Sequence, residues 1–430
     1  MIEMKRYVRG WGLALVLASS FLLVTVRAAA QTTKKRKVVF VIADGIPADV
    51  LEKVATPNMD AIAQKGKYLR AYVGGGKETY SETPTISAVG YNSLLTGTWA
   101  NKHNVWDNDI ADPNYNYPTI FRLYKNQFPS GKIAVYSSWT DNRTKLVGDG
   151  MAQTKKLQVD YHADGFELDT VRFPHDKQRD NMHRIDEAVI DAATAGIRQQ
   201  APDLSWVYLE YTDDMGHMYG DSEQFHKAIA YLDAQMGRLW SAIRYREQKF
   251  GEEWMIVITT DHGRGENDGK DHGAQSDRQR STWMVTSLAN VNAYPNFRKP
   301  GIVDIFPTIA RFMNLRVPTD ISRETDGIPM IGAVSLVDMR VNGFQNKLDI
   351  EWTPLDPSDK STVKIWVSNS NNYKSGGKDD YTLVAEVPIS RQHASIPWHN
   401  QNPITKIVLE GTHNSLNRWV MNPPPPAEKQ

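Results

Sequence analysis

Six residues with metal-ligating side chains stand at or just past the ends of apolar runs. Val38 to Ala43 ends in Asp44 and Gly45. Trp206 to Glu210 leads into Tyr211-Thr212-Asp213-Asp214-Met215-Gly216-His217. Met255-Ile-Val-Ile-Thr-Thr260 ends in Asp261-His262-Gly263, and His272 follows in Gly269-Lys270-Asp271-His272-Gly273. A lone Asp-His-Gly is a polar strand-to-loop turn; its weight here comes from repetition. Three carboxylates and three imidazoles suit a borderline-soft divalent ion such as zinc. They suffice to give each of two ions three protein ligands. Cysteine is absent, so no thiolate can serve as ligand or nucleophile.

The reactive hydroxyl that fits this set is Ser87. Pro84 blocks an earlier helix start, so a helix is predicted from Ser87 to Thr96, with Gly97 as its C-cap. A hydroxyl at that position sits beside exposed backbone N–H groups and the positive helix end, which favours an anionic substrate. The commoner job of such a serine is simply to cap the helix. Two metals about 4 Å apart can hold the attacking and leaving oxygens of an in-line displacement. A hydroxyl bound to metal also loses its proton more readily than a free one.

These residues need a rigid frame. The apolar, β-branched runs read as strands buried on both faces, as in a parallel sheet. Their carboxyl ends are where open α/β sheets build sites. Thr56 is read as the N-cap of a helix that begins at Pro57 and stops at Gly66. Ile185, Ala188, Val189 and Ala192 mark an amphipathic helix. Phe225, Ile229, Leu232, Met236, Leu239 and Ile243 mark a second, and a third runs from Ile302 to Asn314. Asp213 and His217 are placed on a glycine-containing loop. Residues 150–180 are polar and irregular, either surface or lid.

From about Leu336 the texture changes to short alternating runs separated by Pro, Gly, Asn and Asp. This predicts a small β-sandwich of roughly seven strands, with the spacing of an immunoglobulin or fibronectin type III module. The chain of 430 residues therefore divides into a signal segment (1–30), a catalytic domain (31–333), the sandwich (334–422) and a Pro-rich tail (423–430). Lys5, Arg6 and Arg9, the apolar stretch Trp11 to Val26, and Ala28-Ala29-Ala30 make up the signal, with cleavage near Ala30. Export to the periplasm or outside is expected, with no later stretch able to span a bilayer. Formal net charge is +0, so no nucleic-acid duplex is expected as a partner. All site candidates precede the sandwich, so it is expected to be dispensable for chemistry; its own partner is not readable.

Taken together, these segments resemble the alkaline phosphatase superfamily, and within it the nucleotide pyrophosphatase/phosphodiesterase family. Ile42-Ala43-Asp44-Gly45 looks like that family's first metal-binding strand end, and Thr56-Pro57-Asn58-Met59-Asp60 like the helix after it. Ser87, ten residues before the Gly97 of Leu-Leu-Thr-Gly (97 − 87), stands where the family carries its nucleophile. The resemblance implies an α/β fold with an alkaline-phosphatase-like, mostly parallel sheet flanked by helices. It implies two zinc ions, one held by Asp213, His217 and His272, the other by Asp44, Asp261 and His262, with Ser87 bridging. Asn108, with a backbone amide near the nucleophile, would bind a phosphoryl oxygen.

The implied activity is that of an exported phosphoester hydrolase acting on a small, nucleotide-like phosphodiester or pyrophosphate. A phosphomonoesterase, or a degenerate hydrolase serving as a binding protein, is the alternative. Neutral Asn108, with His103, Trp106 and Trp139 nearby, favours diesters; Arg143, Arg264 or Lys270 could supply a charge for monoesters. Departures from the family are Ser87-Ala88-Val89-Gly90-Tyr91, where Thr followed by Phe-Pro-Asn-His is common, and Thr212 in place of proline. Val89 and Tyr91 also occupy the Pro and Arg positions of the sulfatase pattern, which argues against that chemistry.

Overall fold

Every residue from Val38 to Ala43 is fully buried, which requires cover on both faces of this strand. The computed structural model describes residues 34–398 and 402–422. The expected signal segment (1–30) and Pro-rich tail (423–430) lie outside them.

The central sheet has seven strands: β1 (Arg36–Ala43), β2 (Lys67–Tyr72), β3 (Ile133–Ser137), β4 (Tyr161–Ala163), β5 (Leu204–Leu209), β6 (Glu253–Thr259) and β7 (Ser281–Thr286). Their order is β2-β7-β6-β1-β5-β3-β4. Strand β7 is antiparallel to its neighbours, and the other pairs are parallel. Side chains alternate with period two, so Val38, Phe40 and Ile42 enter one core while Val39, Val41 and Ala43 enter the other. With β1 flanked by β5 and β6, the three ligand-bearing strand ends lie side by side, at the position that open α/β sheets use for sites.

The helices that position the site are α1 (Pro57–Lys65), α2 (Ser87–Thr96), α3 (Ile120–Gln127), α4 (Asp180–Gln199), α5 (Tyr211–Tyr219), α6 (Glu223–Phe250) and α7 (Ile305–Phe312). One face of the sheet is covered by Met59 and Ile62 of α1, Ile185 and Val189 of α4, and Phe225, Ile229 and Met236 of α6. The opposite face carries Leu94 of α2, Phe121 of α3 and Ile309 of α7.

Two expectations change. Thr56 occupies the N-cap position of α1, but its side chain makes no capping hydrogen bond. The free amides are taken instead by Asp233 of α6, which accepts from Asn58 N at 3.1 Å and Met59 N at 2.8 Å. Second, Asp213 and His217 lie on a helix, α5, and not on a loop. Its first amides are held by Asp186 of α4, which accepts from Glu210 N at 3.1 Å and Tyr211 N at 2.9 Å. Buried carboxylates that accept amide N–H groups are strong partners. Asp233→Ala is therefore expected to lower stability by about 2 kcal/mol while leaving the site's chemistry intact. A denaturant midpoint unchanged from wild type would contradict the role given to Asp233.

Beyond α7 come β8 (Leu336–Phe344), β9 (Lys347–Pro354), β10 (Thr362–Ser368), β11 (Thr382–Pro388), β12 (His393–Pro397), β13 (Ile404–Glu410) and β14 (Ser415–Met421). They form two antiparallel sheets, β12-β9-β8 and β11-β10-β13-β14, as the fibronectin type III pattern anticipates. The sandwich is not merely appended. Leu336, Ile350, Trp352, Ile365 and Leu409 belong to the same buried cluster as Val38 and Phe40. Fully buried Lys102 bonds Asp326 at 2.6 Å and Asn417 of β14 at 2.8 Å. Equally buried Lys406 of β13 bonds Glu324 at 2.7 Å and Asp379 at 2.6 Å. This shared core and paired charge set tie the stability of the sandwich to that of the catalytic domain, a separate matter from its expected dispensability for chemistry.

Candidate metal centre

The six candidate ligands and Ser87 converge at the carboxyl ends of β1, β5 and β6. Asp44, Asp261 and His262 offer ligand atoms within 4.8 Å of one another, and so do Asp213, His262 and His272. His217 Nε2 lies 3.2 Å from Asp213 Oδ2 and 3.1 Å from His272 Nε2. His262 is central: its Nε2 lies 3.3 Å from Asp44 Oδ1, 3.3 Å from Asp261 Oδ2 and 3.4 Å from Ser87 Oγ. Its ring stacks on His272, centroids 3.7 Å apart.

Each aspartate has one oxygen anchored by protein and the other turned toward an imidazole. Asp44 Oδ2 accepts the phenol hydroxyls of Tyr91 and of Tyr208, the latter at 2.7 Å. Asp261 Oδ1 accepts Gly45 N at 3.2 Å. Asp213 Oδ1 is paired with Arg264. The opposite oxygens of Asp44 and Asp261, Oδ1 and Oδ2, are buried without a hydrogen-bond partner. Such orphaned carboxylate oxygens are costly unless a cation meets them.

The imidazoles are oriented to match. Nδ1 of His262 lies 2.9 Å from Gly263 O, and Nδ1 of His272 lies 2.9 Å from Thr85 O. A carbonyl only accepts, so each Nδ1 carries a hydrogen and each Nε2 faces the site, the orientation of metal-bound histidines. The electrostatics are those of a site short of positive charge. Burial and the Asp44 carboxylate beside it push the Asp261 carboxyl well above the usual range. Burial would depress His262, yet Asp261, Asp44 and Asp213 together raise it to about 9. Burial and the neighbouring His262 hold His272 down to about 4. This oxygen and nitrogen donor set fits a divalent ion of the zinc type.

Ser87 opens α2, as the sequence predicts. All ten residues of that helix are buried, and Gly90 lets it approach the sheet: a Cβ there would lie 2.8 Å from Asp261 O. Ser87, Asp44 and Asp213 share a cavity of about 350 Å³ with Asn108, Trp139, Glu167 and Arg179. Asn108 is in place, but its Oδ1 already accepts the Ala88 amide at 3.0 Å. That amide is therefore engaged, and Nδ2 is the donor left to face a substrate.

Of the aromatic candidates only Trp139 lines the cavity. His103 is a buried core residue bonded to Ser93 at 3.0 Å, its imidazole driven down to about 3 by burial. Trp106 is exposed and bonds Asn104. The candidate cations also fall away from the cavity. Arg143 is tied to Asp164 and Asp149, Arg264 is fully buried behind Asp213, and Lys270 is not in the wall. The segment 150–180, read as surface or lid, contributes wall residues Glu167, His175 and Arg179. Arg179 was not legible as a site residue, because nothing in that polar run distinguishes it.

Residues 38–301 match the profile described as type I phosphodiesterase / nucleotide pyrophosphatase. The chain belongs to that family. The matched span runs from β1 past β7 and includes every candidate ligand. Among curated relatives, a human ectonucleotide pyrophosphatase/phosphodiesterase family member 5 is 26% identical over 260 residues, covering 57% of this chain and 50% of the relative. A pyrophosphatase/phosphodiesterase of Schizosaccharomyces pombe is 21% identical over 300 residues, covering 66% and 56%. The chain thus spans about half the length of these relatives. Among solved structures, the murine family member 5 in complex with AMP superposes with a TM-score of 0.45 and 14% identity, covering 66% of this chain and 96% of that one. No helix among the described residues is long and apolar enough to cross a membrane.

Proposed function

We propose that this protein is an exported phosphodiesterase or nucleotide pyrophosphatase that uses Ser87 as nucleophile beside two divalent cations, zinc by donor type. The observation that carries this reading is the carboxylate pattern, in which Asp44 and Asp261 each keep one buried oxygen unpaired beside His262 Nε2. Asp44, Asp261 and His262 would hold one ion and Asp213, His217 and His272 the other. When bound, the ions would supply Lewis-acid polarisation and charge neutralisation at the phosphoryl group.

The chain's own residues do the rest. Ser87 Oγ attacks phosphorus and gives up its proton, and the P–O bond to the leaving alkoxide or phosphate breaks as that oxygen takes up a proton. Water then hydrolyses the phosphoseryl ester, freeing the phosphate product and restoring the Ser87 hydroxyl. The N-terminus of α2 favours the anionic group that arrives there. Asn108 Nδ2 donates to a non-bridging oxygen. Among the described residues, Arg179 is the one guanidinium or ammonium in the cavity wall. It is held by both oxygens of Asp214, at 2.7 and 2.6 Å. No uncompensated side-chain cation therefore awaits the second charge of a monoester, which favours diesters and pyrophosphates.

The test compares kcat/KM for bis-p-nitrophenyl phosphate, p-nitrophenyl thymidine monophosphate and p-nitrophenyl phosphate on one metal-loaded preparation. The diesters should lead by about tenfold or more, roughly 1.4 kcal/mol. A tenfold lead for the monoester would overturn the diesterase reading. Elemental analysis should find two divalent ions per chain, held less tightly in acid because protons compete for the imidazoles. Absence of stoichiometric metal from protein never exposed to chelator would refute the cation-dependent mechanism.

A further inference from the structure

Arg264 is fully buried, and its guanidinium reaches each segment that carries a ligand. Nε donates to Gly45 O at 2.9 Å, one residue beyond Asp44. Nη1 donates to Lys270 O at 2.9 Å, two residues before His272. Nη2 donates to Asp213 O at 2.8 Å and to the Asp213 carboxylate. The ring of Phe225, at the start of α6, lies 5.6 Å from its Cζ. Two glycines make room for it: a Cβ on Gly216 would lie 2.1 Å from Arg264 Cζ, and one on Gly45 would lie 2.6 Å from Nη2. An arginine so placed is costly to bury unless its donors are met, and here all three guanidinium nitrogens donate, in four hydrogen bonds.

The geometry points to Arg264 as the positioning residue for the Asp213–His217–His272 half of the centre, clamping the segments after β1, β5 and β6 so that this half stands assembled before a cation arrives. The inference rests on the two-cation reading above. It also divides the site unequally. Asp44 and Asp261 are oriented by Tyr91, Tyr208 and the Gly45 amide, without contact to the guanidinium. Asp213 is oriented by Arg264, and its Oδ2 is left for a cation beside His217.

The experiment titrates the metal-free full chain with zinc ions and reads the two equivalents separately by calorimetry, with the unfolding midpoint measured alongside. Wild type should bind two equivalents. Arg264→Met should bind the first within about twofold of wild type and the second at least tenfold more weakly, because ordering lost in the free site must be recovered on binding. Arg264→Lys, with one donor group in place of a fork, should fall between them. Gly216→Ala keeps the arginine and its charge but displaces the guanidinium, and should reproduce the selective loss; it decides the question if Arg264→Met does not fold. His217→Ala marks which equivalent belongs to this half. Equal weakening of both equivalents would assign Arg264 a general structural role and overturn the proposal, and so would unchanged binding of both. If wild type takes up no zinc, the proposed function itself falls.

Discussion

Ser87→Ala should reduce kcat by about 10³-fold or more while the fold and the cation stoichiometry stay at wild type. Ser87 is the hydroxyl that opens the buried helix α2, and its Oγ lies 3.4 Å from His262 Nε2 at the cavity wall. Removing one oxygen there deletes the proposed attacking group but leaves every carboxylate and imidazole in place. The nearest rival by sequence, Thr85, is already committed. Its hydroxyl donates to Ala274 O at 2.8 Å and accepts Gly273 N at 2.9 Å, which braces the loop carrying His272. Rapid-quench or steady-state turnover on a diester checks the expectation. A variant with near wild-type turnover would remove Ser87 from the mechanism and leave a cation-activated water as the attacking group.

A chain ending near Ile331 should fail to give a soluble, cooperatively folding protein, although every candidate ligand precedes that point. The reason lies in what the sandwich covers. Its inner residues extend the core cluster on one face of the central sheet, and Tyr80 stacks on Trp419 of β14 with centroids 5.6 Å apart. The buried charges make the same point with a single substitution. Glu324 and Asp379 have side chains only 2% exposed, and both pair with the Lys406 ammonium. Lys406→Met would strand these carboxylates and should cost about 3–5 kcal/mol, the range for breaking a buried ion pair from one side. Chemical denaturation measures this directly. A truncated chain that unfolds cooperatively and still binds two ions would show the shared core to be dispensable.

Much of this arrangement was legible because a few residue patterns have few structural solutions. Val38 to Ala43 and Met255 to Ile258 are apolar without alternation, so they had to be strands covered on both faces. Polar residues at the ends of such strands had to lie together at one edge. Ser87 followed from Pro84 and Gly97, which fix where a helix can begin and end. The failures share a different cause. Helix α5 was read as a loop because its own sequence lacks a cap; the cap is Asp186, 24 positions before Glu210 and on another helix. Thr56 was given a task that Asp233 performs. His103 was placed with Trp106 beside Asn108, yet its ring faces Ser93 inside the core. Arg264 was visible as a charge, but its direction was not. The hint lay in Gly45 and Gly216, two positions without a side chain that mark where another side chain must pass.

The placement of β1 has a consequence for how the molecule comes into being. Its two neighbours are remote in the chain: Val38 pairs with Leu204 and with Met255, separations of 166 (204 − 38) and 217 (255 − 38) residues. Closing loops of that length precedes any reward from the contacts they permit, which makes parallel pairing of this kind intrinsically slow. Asp44 arrives early in synthesis, but Asp261, His262 and His272 arrive only after more than half of the chain has been made. The centre therefore cannot be assembled piecemeal from the N-terminus. It is a late product of folding, and a nascent chain waits for its middle strand to gain both partners before it has anywhere to hold an ion.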